Sequence, residues 1–86
     1  MPRGPVRLKY KNRMNQSGYR VSVRRTELGL TQSMLCGRIA DLTSASWNPT
    51  EGDIGRIERG TRIVSDIELA ILAKALESSI QHLLDI

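Results

Sequence analysis

Residues 49–62 read "PTEGDIGRIERGTR". Thr50 can cap a helix whose third residue, Asp53, reaches back in a variant of the capping box, and Gly60 can end it. Between them Ile54 and Ile57 fall on one inner face, so the segment predicts a short amphipathic helix. Gly52 and Gly55 each cost about 1 kcal/mol relative to alanine, so this helix needs support from its neighbours. Two acids, Glu51 and Asp53, suit its first turn because they meet the positive end of the helix dipole.

The same grammar repeats on both sides. Upstream, residues 18–28, "GYRVSVRRTEL", place Val21, Arg25 and Leu28 at helical spacing, and Gly29 follows as a stop. Thr31 is a good N-cap for the next helix, in which Leu35, Ile39 and Leu42 share a face with Cys36 beside them. "TSASWNP" then breaks the pattern, with Trp47 expected to pack down and anchor the loop. Downstream, Ser65 and Glu68 form a capping box ahead of "DIELAILAKALE". That helix is apolar almost all round, through Ile67, Leu69, Ala70, Ile71, Leu72, Ala73, Ala75 and Leu76. Ser79 can cap a last turn or two with Ile80, Leu83 and Leu84 facing inward. Phe is absent and no segment alternates at period two, so the fold class is all-α with five helices.

Composition narrows the function. A chain of 86 residues is one small domain. A single cysteine, Cys36, and a single histidine, His82, exclude an intrachain disulfide and a protein-only zinc site, so no metal or cofactor is expected. No apolar run approaches the roughly 20 residues needed to span a bilayer, and the first residues lack the apolar core of a signal peptide. A cytoplasmic protein without membrane partners is the expectation. The net charge of +4 is uneven: residues 1–25 carry eight basic side chains and no acid, whereas the remainder carries five basic and nine acidic ones. Such asymmetry suggests a basic N-terminal arm over 1–17, with Arg3, Arg7, Lys9, Lys11 and Arg13, that seeks a polyanion and precedes a body over 18–86.

Enzymatic signals are thin. Glu51 and Asp53 stand two apart near a helix start, where side chains diverge, and no P-loop, G-x-S-x-G or dinucleotide fingerprint occurs. "GDIG" formally matches a GxxG clamp but lacks basic or neutral middle residues and the mixed sheet that such RNA binders use. The expectation is a protein that is not an enzyme.

One constellation is more specific than its parts: "GLTQ" at 29–32, Leu35, Ile54, "IERG" at 57–60, "LAILAKAL" at 69–76 and then "HLL". Over about residues 18–85 it resembles the Cro/CI-type, or XRE, helix-turn-helix family. The resemblance implies a five-helix lambda-repressor-like DNA-binding domain whose third helix lies in the major groove of double-stranded DNA. It implies base contacts from Glu51, Gly52 and Arg56, of which Arg56 suits guanine best. It implies phosphate contacts from Thr31, Gln32, Thr50, Arg59, Thr61 and Arg62, and a structural ion pair between Arg25 and Glu58. The implied activity is transcriptional regulation, as a stand-alone, phage, plasmid or antitoxin-type repressor. The implied partners are DNA, a second copy in a homodimer and a protein partner such as a toxin or another regulator; Leu83, Leu84 and Ile86 either form the dimer face or close the core. The alternative is an interaction module that keeps the fold and meets a protein through the acidic helix and the Trp47 loop.

Three departures stand out. The link between helices two and three is longer than the family turn by about eight residues. Glu51 and Asp53 place acids where the family often has neutral or basic side chains, and Glu77 with Ser78 replaces the glycine usual after helix four.

Overall fold

The computed structural model describes residues 8–86, so Arg3 and Arg7 of the arm lie outside the described residues. Five helices follow in order: α1 (Gly18–Glu27), α2 (Gln32–Leu42), α3 (Glu51–Arg59), α4 (Asp66–Ala75) and α5 (Ile80–Leu84). The described residues contain no strand, only an isolated bridge between Tyr10 and Arg13. Local chemistry explains most boundaries. Thr31, Thr50, Ser65 and Ser79 each accept a backbone N–H from the third residue of the helix they precede, relieving one of the orphan donors at a helix start. Gly60 ends α3 at φ 78°, a left-handed conformation in which glycine avoids the steric penalty of a side chain.

Val21, Leu35, Ile39, Ile54, Ile57, Leu72, Leu76 and Leu83 form a fully buried core fed by all five helices. Trp47 is half-buried against this core, and Pro49 is buried. The Thr43 hydroxyl accepts the Trp47 backbone N–H at 3.1 Å, which folds the long α2–α3 link back on the end of α2. Its turn passes through Ser44 and Ala45, both with positive φ.

The apolar sequence pattern overstates the core at several positions. Leu42 is exposed because α2 ends there and the chain turns away through Ser44 and Ala45. Ile67, expected in the core helix, is 71% exposed in the first turn of α4. Ala70 and Ile80 are also exposed. Leu42, Ile67 and Ile80 stand in the end turns of their helices and Ala70 on the outer side of α4, so an apolar pattern alone overcounts burial.

The segment before α1 is structural from Arg13 onward. Met14 donates its backbone N–H to the Gly60 carbonyl at 2.7 Å, and the Gln16 side chain donates to the Leu84 carbonyl at 2.6 Å. Asn15 does most: its Oδ1 accepts from Gly18 N–H at 2.7 Å, while its Nδ2 donates to the carbonyls of Ile57, 3.0 Å, and Arg62, 2.8 Å. One buried amide therefore joins the start of α1, the last turn of α3 and the link to α4. Arg13 lays its guanidinium across Gly60 and donates to the Glu58 carbonyl, placing a cation at the negative end of the α3 dipole.

The stop after α4 uses arginines where the sequence lacks a glycine. Arg24 donates to the Leu76 carbonyl at 2.9 Å and Arg38 to the Ala75 carbonyl at 3.0 Å, satisfying acceptors that a helix end leaves open. Glu77 still takes the left-handed turn, at φ 52°.

Candidate functional site

α3 has two unlike sides. Ile54, Gly55 and Ile57 are buried, whereas Glu51, Gly52, Arg56 and Arg59 are exposed. Helical periodicity puts 52, 56 and 59 opposite the isoleucines and 51 to one side, whereas Gly55 lies on the outer side and is covered by Arg59. Thr50 and Asp53 complete the capping box: Asp53 N–H donates to Thr50 Oγ1 at 3.1 Å and Thr50 N–H donates to Asp53 Oδ2 at 2.9 Å. The other Asp53 oxygen accepts from Arg56 Nη2 at 2.6 Å. The Thr50 backbone N–H first, and Arg56 second, hold the Asp53 carboxyl below its ordinary range.

Both costly glycines lie beneath arginines. A methyl group at Gly52 would come within 3.3 Å of Arg56 Nη1, and one at Gly55 within 3.0 Å of Arg59 Nη1. Helical side chains lean toward the N-terminus, so each guanidinium lies back over the glycine four residues earlier. The two guanidiniums thus lie along the outer face of α3 close to its surface.

Behind this helix stands a charged cluster. Arg25 grips Glu58 through Nε, 2.6 Å, and Nη2, 3.1 Å, while Arg25 Nη1 donates to the Leu30 carbonyl at 2.8 Å. The Arg25 and Glu58 side chains are only 16% and 9% exposed. The Glu58 hydrogen bond pushes the Arg25 pKa up, against the opposing effect of burial. Gln32 donates to Glu58 Oε1 at 3.2 Å, so its amide faces inward from the first turn of α2. Thr31 is exposed and uses its hydroxyl to cap α2, accepting from Met34 N–H at 3.0 Å.

Beyond α3, Thr61 is exposed and donates its N–H to the Arg56 carbonyl at 3.0 Å. Arg62 is committed elsewhere: it meets both Glu68 oxygens, at 2.9 and 2.8 Å, across the start of α4. Arg62 first, and the Ser65 backbone N–H after it, hold the Glu68 carboxyl below its ordinary range. Both Asp53 and Glu68 thus have folded-state values below their unfolded ones, about 3.9 and 4.3. Their contribution to stability is complete above those values and is lost as pH falls through the lowered folded values. Thermal melts are expected to drop in Tm below about pH 5, with Glu68→Gln flattening the drop. An unchanged slope in that variant would place the acid sensitivity elsewhere.

The basic N-terminal stretch divides in a way its composition does not show. Arg13, Arg24 and Arg25 hold helix ends or Glu58, and Arg20 pairs with Asp85 at 2.7 Å. Lys9 and Lys11 are exposed. Lys11 and Asn12 form a two-residue turn with positive φ, closed by Tyr10 and Arg13, with the Lys11 ammonium 5.3 Å from the Tyr10 ring centre.

Cys36 is half-buried, and burial first, then the charges of Glu51 and Asp53, push its thiol pKa up. That environment disfavours a reactive thiolate. Among the described residues no three His, Cys, Asp or Glu side chains gather as metal ligands, and no helix is long and apolar enough to cross a membrane. No protein-family model matches the chain, and no curated protein or solved structure matches it.

Sequence reasoning missed Asn15 and the inward role of Arg13. Asn three residues before a helical glycine is a capping signal in "NQSG", but the surrounding basic residues made the segment read as an arm.

Proposed function

We propose that this chain is a sequence-specific double-stranded-DNA-binding transcriptional regulator of the lambda-repressor-like, Cro/CI type, acting as a homodimeric repressor with α3 in the major groove. The observation that carries this reading is the outer face of α3. It is a short helix capped at both ends, anchored by Ile54 and Ile57, with Glu51, Gly52, Arg56 and Arg59 open to solvent. Reading a base edge needs a rigid rod with polar side chains on its free side, and a guanidinium fork there matches guanine O6 and N7. Thr31 and Thr50 are exposed at the N-termini of α2 and α3, where the helix dipole favours phosphate, and Thr61 is exposed just beyond the end of α3. Lys9 and Lys11 supply sequence-independent attraction.

Selection of sites from random duplex DNA with purified protein is expected to yield a palindromic consensus. Arg56→Ala is expected to weaken binding to it by about 1–3 kcal/mol and relax one guanine position. No enriched site at low salt would sink the proposal.

A second reading, a protein-binding module with a partner such as a toxin, draws on a specific observation. Arg62 is neutralised by Glu68, Gln32 is turned to Glu58, and the first turn of α3 is acidic. It predicts unselective, weak DNA binding in the same experiment.

A further inference from the structure

Arg56 does not stand free on α3. Its Nη2 donates to Asp53 Oδ1 at 2.6 Å, and the same carboxylate accepts the Thr50 backbone N–H at 2.9 Å through Oδ2. The carboxylate is therefore pinned to the start of the helix before it meets the arginine. Gly52 completes the seat: it leaves the Arg56 guanidinium free to lie down over the first turn, where a methyl would stand 3.3 Å from Nη1 and make the fork give by a few tenths of an ångström. Two residues that look separately unsuited to the face, an acid and a helix-weakening glycine, make one device with the cation beside them.

Resting on the DNA-binding reading, we infer that Asp53 and Gly52 are specificity-determining positioning residues, which hold the Arg56 guanidinium as a prearranged fork for a guanine edge. Arginine has five N–H donors. Asp53 engages one amino group, and the rest of the planar fork remains for O6 and N7. A free arginine loses its rotamer freedom on binding any acceptor, whether base or phosphate. One already oriented loses less, and its direction is chosen in advance. The carboxylate also repels phosphate, so an Arg56 that strays to the DNA backbone gains less there. The pair therefore lowers affinity for unrelated DNA while sharpening the choice of base. The same capping bond explains why the fork is stable in one orientation: Asp53 cannot swing away without releasing the Thr50 N–H.

The test compares four proteins, wild type, Arg56→Ala, Asp53→Asn and Gly52→Ala, by site selection and by affinity for consensus and unrelated duplexes at one salt concentration, with thermal melts to check folding. Asparagine keeps an oxygen for the Thr50 N–H and loses the ion pair. Alanine at 52 favours the helix and raises Tm while crowding the guanidinium. Both are expected to lower preference for the guanine that Arg56→Ala abolishes by about two- to tenfold, the worth of ordering one long side chain in advance. Asp53→Asn is expected to bind unrelated DNA more tightly. A Gly52→Ala protein that is more stable yet less selective separates positioning from mere support of the helix. The inference is overturned if both variants keep the wild-type guanine preference, or if Arg56→Ala loses no base preference while the wild type selects a site; in either case the DNA-binding reading stands. A wild type that selects no site overturns both.

Discussion

Glu58→Ala is expected to lower the unfolding free energy by about 3 kcal/mol, the low end for removing one partner of a buried ion pair. The Glu58 carboxylate receives both Arg25 Nε and Nη2 and the Gln32 amide, with its own side chain 9% exposed. Without it, Arg25 keeps only the Leu30 carbonyl, and a nearly buried cation faces the gap between α1, α2 and α3. The low end applies because the Arg25 side chain is 16% exposed and water can reach part of it. Urea denaturation measures the effect. A loss below about 1 kcal/mol would put the pair in the class of surface ion pairs. Glu58→Gln, which keeps the shape and some hydrogen bonds, should fall between the two.

Gly18→Ala is expected to be comparably damaging, by about 3 kcal/mol, although alanine is the better helix former. A methyl group at this position would overlap the Ile57 carbonyl oxygen and would crowd Asn15 Oδ1 at 2.7 Å. α1 starts where its backbone touches the backbone of α3, so the obstacle is main chain and cannot rotate away. Relief requires the two helices to separate, which would also stretch the Asn15 bonds to Ile57 and Arg62. A calorimetric melt unchanged from wild type would show that α1 and α3 can slide apart without loss.

The sequence made the helices legible because their signals are local. Thr31, Thr50, Ser65 and Ser79 stand immediately before the residues whose N–H groups they accept, and Gly60 stops α3 by its own φ. The all-α class followed from those caps and from helical spacing. What stayed hidden depends on partners far along the chain. Asn15 meets residues more than forty positions away, and Arg24 and Arg38 reach carbonyls at the end of α4. No window of neighbouring residues encodes such a bond. A charge count is blind to such partners as well: of the eight basic residues in 1–25, Arg13, Arg20, Arg24 and Arg25 are engaged within the body. On α3 the exposed face was legible from the isoleucine spacing. The Asp53–Arg56 contact also lay within reach, since residues three apart on a helix are neighbours, but the cap alone already accounted for the acid.

The ties between Gln16 and Leu84 and between Arg20 and Asp85 join opposite ends of the folded body. They make α5 the closing element of the described body: Leu83 completes the core, and Gln16 and Arg20 meet their partners only once α5 and Asp85 are in place. The start of α1, and through Asn15 the last turn of α3, is thus seated by the helix farthest from it along the described chain.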